Sequence, residues 1–322
     1  MNISIRFEIH IHVNRNEEKG NSKSECNSVK CSFLKSASEE IERLRSSLSI
    51  STIENYKTAL RSLGRYLKGD IDVSCINQEL IKSFEKWLRD QKLSLNSISC
   101  YMRSLRSMIN RVNGEGNTNI FKSVYTGRVK TDKRAISESD IISIKHVSLR
   151  KNSFLSLARD VFLFSYYALG MPFIDIAFLR RNQISDNVLT YYRHKTGQRV
   201  IVHLESCMFE IINRYQSENE YVFPLLHSLD PQKAYCEYLK KLNRYNRSLK
   251  TLAKKAGLNI RLTSYVARHT WASIAHASNM DMPVISKALG HTNPQTTLTY
   301  IKEINDYRLA KANRELLRRV LC

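Results

Sequence analysis

Apolar and polar positions alternate over residues 1–13. Ile3, Ile5, Phe7, Ile9, Ile11 and Val13 fall on one side of an extended chain, and Ser4, Arg6, Glu8, His10 and His12 on the other. A period of two predicts a strand with one apolar face. His10 and His12 share the polar face, but no third metal ligand accompanies them. Residues 14–35 are polar, rich in Ser, Asn and Lys, and read as a tether.

The period then lengthens. Ile53, Tyr56, Leu60, Leu63 and Leu67 recur at helical spacing behind "STIE" (Ser51–Glu54), which reads as a capping box. Leu80, Phe84, Trp87 and Leu88 mark a second helix, and Ile98, Met102, Leu105, Ile109 and Val112 a third. Together they predict a small helical domain over about 36–113. Residues 114–136 carry glycines and few apolar side chains and read as a linker. "SESD" (Ser137–Asp140) caps the next helix. From there to 322 the pattern is mainly helical, interrupted by a hairpin in "NVLTYYRHKTGQRVIVHL" (187–204) that turns at Thr196 and Gly197. Near the end Leu309, Ala312, Leu316 and Val320 form a short apolar stripe among basic residues, which predicts a tail helix. The expected fold class is mainly α with a small β-hairpin, in two domains.

Composition narrows the partner. Lys plus Arg number 51 against 30 Asp plus Glu, a net charge of +21 spread along the chain, so the expected partner is a polyanion. Lys57, Arg61 and Arg65 lie largely off the apolar stripe of the first helix, Arg103 and Arg106 off that of the third, and Lys133 and Arg134 sit in the linker. Basic rather than mixed faces point to phosphate contact. The seven cysteines form no CxxC pair and read as reduced thiols of a cytoplasmic protein. No apolar run approaches the ~20 residues of a membrane span, so no membrane association is expected.

No dinucleotide fingerprint, phosphate loop, HExxH or metal cluster occurs, so no cofactor is expected and chemistry must rest on side chains. For a phosphodiester these are a nucleophile, cations for the non-bridging oxygens and a proton donor for the leaving oxygen. "RLTSYVARHTWASIAHASNMDMPVISKALGHTNPQTTLTY" (261–300) brings such types close together. Gly290 can adopt the left-handed conformation that ends the helix before His291.

At these residues the chain resembles the tyrosine recombinases, or phage-integrase family. That family's HxxRH box, its LGH and a tyrosine nine residues beyond the histidine read here as "YVARH", "LGH" and "TLTY". With "YYRHKTGQ", the likeness is greatest to integrases and invertases of the Bacteroidetes. The resemblance implies an N-terminal helical core-binding, SAM-like domain and a C-terminal catalytic domain that clamp duplex DNA. It also implies strand exchange through a 3′-phosphotyrosyl intermediate in a homotetramer assembled on DNA, from a protein monomeric in free solution, with no small-molecule substrate. Residue by residue, Tyr300 matches the nucleophile, Arg268 the second family arginine, and His291 the histidine that contacts phosphate or assists the tyrosine. Lys195 matches the hairpin lysine that protonates the leaving 5′ oxygen. In such a family the tail docks on a neighbouring protomer. A non-catalytic DNA-binding protein on the same scaffold and a type IB topoisomerase-like relaxase are the alternatives.

Two positions depart from the pattern. Tyr265 replaces the first histidine of HxxR; its hydroxyl can still donate to phosphate but carries no charge. The family's first arginine, expected in a GxRxxE box, is replaced in "ALGMPFID" by Pro172, with Asp175 at the acidic position. Arg193 is the leading substitute: two residues before Lys195 in an extended strand, it would share that lysine's face. Arg180 and Arg181 are the next candidates.

Overall fold

The computed structural model describes residues 32–114, 118–129, 135–215, 220–293 and 295–298. The strand expected over 1–13, Lys133, Arg134, Tyr300 and the tail stripe lie outside the described residues. The chain divides into two compact units, Met1–Lys130 and Thr131–Cys322.

The first unit holds helices α1 (Phe33–Arg43), α2 (Ile50–Leu67), α3 (Gln78–Asp90) and α4 (Leu95–Asn113). Its core comes from the expected stripes, Ile53, Leu60 and Leu63 meeting Phe84, Leu88, Ile98, Met102, Leu105 and Ile109. Leu67, Leu80, Trp87 and Val112 pack at the margin of that core.

Three boundaries differ from those the sequence predicts. The helical unit starts inside the expected tether, because Phe33 and Ala37 are fully buried and Asp70 caps α1 from across the fold. Asp70 accepts from the backbone N–H of Leu34 at 2.8 Å and Lys35 at 3.2 Å, and from the Ser32 hydroxyl. Burial opposes ionisation of Asp70, yet these bonds and the one from Ile71 hold its carboxyl below its ordinary range. Helix α2 starts before "STIE": its N-cap is Ser49, whose hydroxyl accepts from the Thr52 N–H, so Ser51 and Glu54 already lie within the helix. Finally, part of the expected linker belongs to the first unit. Ile120, Phe121 and Val124 are buried in its core, and Val129 exchanges two 2.9 Å hydrogen bonds with the Asn96 amide.

The second unit is built around α6 (Phe154–Tyr167), which is buried through most of its length. Helices α5 (Glu138–His146), α7 (Phe173–Ala177), α8 (Ser206–Asn213), α9 (Pro231–Lys255) and α10 (Val266–Ala277) pack against it or its neighbours. Short helices α11 (Met282–Ala288) and α12 (Gln295–Leu298) follow. The Ser137–Asp140 capping box is present at α5. The expected hairpin gains a third strand: β1 (Ile184–Ser185), β2 (Val188–Tyr192) and β3 (Arg199–His203) form an antiparallel meander in the order β1-β2-β3. Leu189 and Tyr191 of β2 and Val200 and Val202 of β3 point into the core by the alternation of the pleat. The ends of these strands, helix α10 and the C-terminal end of α11 supply the polar cluster described next.

Candidate active site

Helix α11 ends in a Schellman motif. Gly290, at φ 61°, is the left-handed residue; its N–H donates to Lys287 O at 2.9 Å and that of His291 to Ser286 O at 3.1 Å. Leu289, fully buried, anchors the turn. Its carbonyl is a helix-terminal acceptor at the negative end of the helix dipole, where cations are favoured. Two guanidinium groups converge on it. Arg268 donates to it through Nη2 at 2.5 Å, and Arg193 through Nη1.

Arg268 sits in the first turn of α10 with 1% of its surface exposed. Its Nη1 donates to Gly170 O at 3.0 Å, and its Nη2 lies 3.0 Å from His291 Nε2. Gly170 (φ 70°) is in the turn after α6; a Cβ there would lie 3.0 Å from the Arg268 Cα, so the "ALGMP" segment closes directly over this arginine. Pro172 is the N-cap of α7 and offers phosphate no donor.

Arg193 is also buried, at 7% exposure, but for a reason other than strand alternation. Strand β2 ends at Tyr192. Residues 193–197 fold into a turn in which Gly197 N–H donates back to Arg193 O at 2.8 Å, so Arg193 and Lys195 do not share the face of an extended strand. What aims Arg193 is Asp175, 4% exposed, whose Oδ2 lies 2.9 Å from the arginine Nε. The two meet as charges, without hydrogen-bond alignment at those atoms. The other oxygen of Asp175 accepts from the His194 N–H at 2.9 Å. The turn is docked further by Thr196, which donates to Gly290 O at 3.1 Å. Arg180 and Arg181 are engaged elsewhere: Arg180 pairs with Glu220 at 3.2 Å, and Arg181 donates to Tyr215 O at 3.2 Å.

His291 joins the two arginines. Burial, then the charges of Arg268, Arg193 and Lys195, push its pKa down to about 4, so the imidazole is neutral at pH 7. Its Nδ1 lies 2.9 Å from the hydroxyl of Thr297, a fully buried residue of α12. Lys195 is exposed on the turn and near enough for its charge to bear on His291. Tyr265 is half-exposed at the N-terminal end of α10, its ring 6.4 Å from that of His269. Five of the six candidate residues therefore lie in described parts of the second unit, with Arg268, Arg193 and His291 in one nest and Lys195 at its edge. Asp175, Thr196, Thr297 and the Leu289 carbonyl complete the arrangement. Of these, the sequence marks Asp175, through its place in the "GMPFID" box, and Thr196, through the turn it shares with Gly197.

In the first unit, Lys57, Arg61 and Arg65 follow one another at four-residue spacing along α2. Lys57 reaches Glu42 at 3.2 Å and Arg61 reaches Glu54 at 3.9 Å. Such solvent-screened pairs contribute little and release their cations readily. On α4, Arg103 is exposed and Arg106 half-buried. Among the described residues no group of acidic, His or Cys side chains is arranged to hold a metal, and no helix is long and apolar enough to cross a membrane.

Residues 32–122 match the model of the phage integrase SAM-like domain, and residues 139–305 that of the phage integrase family. The tyrosine recombinase XerD of Oceanobacillus iheyensis is 25% identical over 272 residues, which span 80% of this chain and 89% of the relative. Among solved structures, the integrase of the Tn1549 transposon in complex with transposon right end DNA superposes with a TM-score of 0.66 at 14% identity. That match covers 89% of this chain and all of the other. A lambda integrase tetramer bound to a Holliday junction gives a TM-score of 0.63 at 15% identity, over 85% of this chain and 78% of that one.

Proposed function

The chain belongs to the phage integrase family and is a site-specific DNA recombinase of the tyrosine type; we propose that Tyr300 is its nucleophile and that Arg193, with Arg268, binds the scissile phosphate in place of the missing first arginine. The observation that carries this reading is the convergence of both guanidinium groups on the Leu289 carbonyl, beside His291. Two forks held by buried partners need little reorganisation to accept non-bridging oxygens, and a fork bridges two oxygens where an ammonium cannot. Phenol, with an unperturbed pKa of about 10, needs such positive surroundings to attack at neutral pH.

In this reading Tyr300 attacks phosphorus and holds the 3′ end covalently. Lys195 protonates the departing 5′ oxygen, and Tyr265 donates a hydrogen bond to the phosphate. Transesterification keeps the bond energy in the phosphotyrosyl link, so neither metal nor nucleotide is consumed. The first unit adds sequence-tolerant phosphate contacts through Lys57, Arg61, Arg65, Arg103 and Arg106, with Lys133 and Arg134 beyond it. The working assembly is a tetramer on duplex DNA, two protomers at each exchanging site, and the setting is the cytoplasm. The known DNA complexes of the Tn1549 and lambda integrases support DNA as the partner.

The test is a denaturant-resistant protein–DNA adduct. Wild type is expected to form it and Tyr300→Phe to bind DNA without forming it; an adduct that persists in the variant removes Tyr300 from the role.

A further inference from the structure

We propose that Thr196 is a positioning residue: its hydroxyl fixes the turn that carries Lys195, and so sets where the proton for the departing 5′ oxygen is held. The inference rests on the reading of Lys195 as the general acid. It starts from the two neighbours of that lysine. On one side the His194 N–H donates to Asp175 Oδ1 of α7 at 2.9 Å, and the same oxygen lies 3.3 Å from His194 Nδ1. On the other side the Thr196 hydroxyl donates to Gly290 O, just past α11, at 3.1 Å. The chain is thus tied to two different elements immediately before and immediately after Lys195.

Lys195 is exposed, and among the described residues its side chain has no hydrogen-bond or ion-pair partner. A lysine stem is long and flexible, so an unanchored one gives its ammonium no fixed position. What limits its reach is where its backbone stands. The turn closes on itself through Gly197 N–H to Arg193 O at 2.8 Å and Arg193 N–H to Gln198 O at 2.9 Å. Those bonds set the shape of the turn; the bonds from His194 and Thr196 set its place. The Thr196 anchor also registers the turn against the arginines. Leu289 O receives Arg193 and Arg268, and the next carbonyl along the chain, Gly290 O, receives Thr196. Turn and helix end are packed as well as bonded, since a Cβ on Gly290 would lie 2.9 Å from Arg193 Cγ and 3.0 Å from Val200 Cγ2. Two consecutive carbonyls therefore hold the proton donor in step with the cations that face the phosphate.

The step balances. As the bond from phosphorus to the 5′ oxygen breaks, its electron pair stays on that oxygen, which takes a proton from Lys195 Nζ. The lysine is left as the neutral amine, and phosphorus keeps its new bond to the nucleophile. Religation returns the proton from the 5′ hydroxyl to the amine. Thr196 neither gives nor takes a proton in either direction. Loosening the turn therefore costs the protonation of the leaving oxygen and spares the binding of phosphate. Sulfur in the bridging 5′ position separates the two effects. A thiol ionises near a pKa of ~8.5, far below an alcohol, so sulfur departs as a thiolate without a proton.

The test uses the full-length protein and nicked suicide duplexes spanning its own cleavage site, mapped by sequencing the ends of its covalent adducts. The duplexes carry either oxygen or sulfur at the bridging 5′ position, and single-turnover adduct formation is followed on each. On oxygen, Thr196→Val should be slower than wild type by ~10-fold or more, part of the ~10²–10⁴-fold that a general acid supplies. On sulfur it should match wild type, and DNA affinity should be unchanged. Thr196→Ser, which keeps the hydroxyl, should restore the rate on oxygen. Lys195→Ala should be slow on oxygen and restored by sulfur. A Thr196→Val chain with the wild-type rate on oxygen overturns the proposal. So does one equally slow on both substrates, which would assign Thr196 to packing of the arginine nest, and so does Thr196→Ser if it is as slow as Thr196→Val. Failure of sulfur to restore Lys195→Ala would instead overturn the reading of Lys195 as the acid, on which the proposal stands.

Discussion

The two units use the same residue type in opposite ways. On α2 of the first unit, Lys57, Arg61 and Arg65 run along the surface, and the first two pair loosely with Glu42 and Glu54 at 3.2 and 3.9 Å. In the second unit, Arg268 and Arg193 are 1% and 7% exposed and are held by main-chain carbonyls and one buried carboxylate. A solvated cation can meet any phosphate and is screened by salt; a buried one is aimed at a single point and cannot relax away from it. The first arrangement suits affinity along a duplex, and the second suits one phosphorus atom in a transition state. Losing a residue of the first kind should change salt dependence, and losing one of the second should change rate.

Gly290 offers the sharpest way to disturb the nest without removing a charge. A Cβ there would lie 2.9 Å from Arg193 Cγ and 3.0 Å from Val200 Cγ2, at φ 61°. Gly290→Ala should cost ~2 kcal/mol or more, the left-handed penalty plus the clash, and should displace the Arg193 stem. Gly197 is left-handed too, at φ 65°, with nothing within 4 Å of its Cβ position, so Gly197→Ala should cost only the backbone penalty of ~1 kcal/mol. Urea midpoints of the two variants, with cleavage rates beside them, check the difference. Equal losses would mean that the Gly290 contacts are unimportant.

A smaller effect is expected on the exposed side. Replacing Lys57, Arg61 and Arg65 together by Ala should lower the slope of log affinity against log salt by up to ~0.9 for each phosphate no longer neutralised. The cleavage rate at saturating protein should stay unchanged. A fall in that rate with unaltered salt dependence would erase the distinction between the units.

The smallest effect belongs to Asp70, which caps α1. Asp70→Asn should destabilise the first unit by ~1 kcal/mol at pH 7, as for a weakened cap. The carboxyl is held below its ordinary value of 3.8 in the fold, so the unfolded chain takes up the proton first on acidification. Its stabilisation is therefore complete above about that value and is lost as pH falls through the folded pKa. Urea unfolding from neutral to acid pH should show this acid-labile component in wild type and its absence in the variant.

The contrast between the units also marks what could be read in the sequence. The stripes that build α2, α3 and α4 are local and periodic, and their residues do form the first core. Ser137–Asp140 and Gly290 act through neighbours three or four residues away, so cap and helix end are both legible. The start of α1 is not, because its capping carboxylate, Asp70, lies 36 residues beyond Leu34. The linker looked unstructured because Ile120, Phe121 and Val124 follow no long period, although each is buried. In the candidate site, motifs mark Arg268, His291 and Lys195 in the sequence, and the fold brings Arg268 and His291 together. Strand alternation points to Arg193, whereas in the fold a tight turn and Asp175 direct it. The feature that joins the arginines is a main-chain oxygen of Leu289, which no side-chain pattern marks. Nothing in "QTTLTY" marks Thr297 in the sequence; in the fold it is fully buried and meets His291.

The most direct test of the account is the single-turnover rate of covalent adduct formation by Arg193→Ala, measured at saturating protein alongside DNA affinity. Loss of one preorganised donor to the phosphate predicts a rate at least ~10²-fold below wild type, with affinity within a few-fold. A near-normal rate would contradict the claim that Arg193 stands in for the missing arginine.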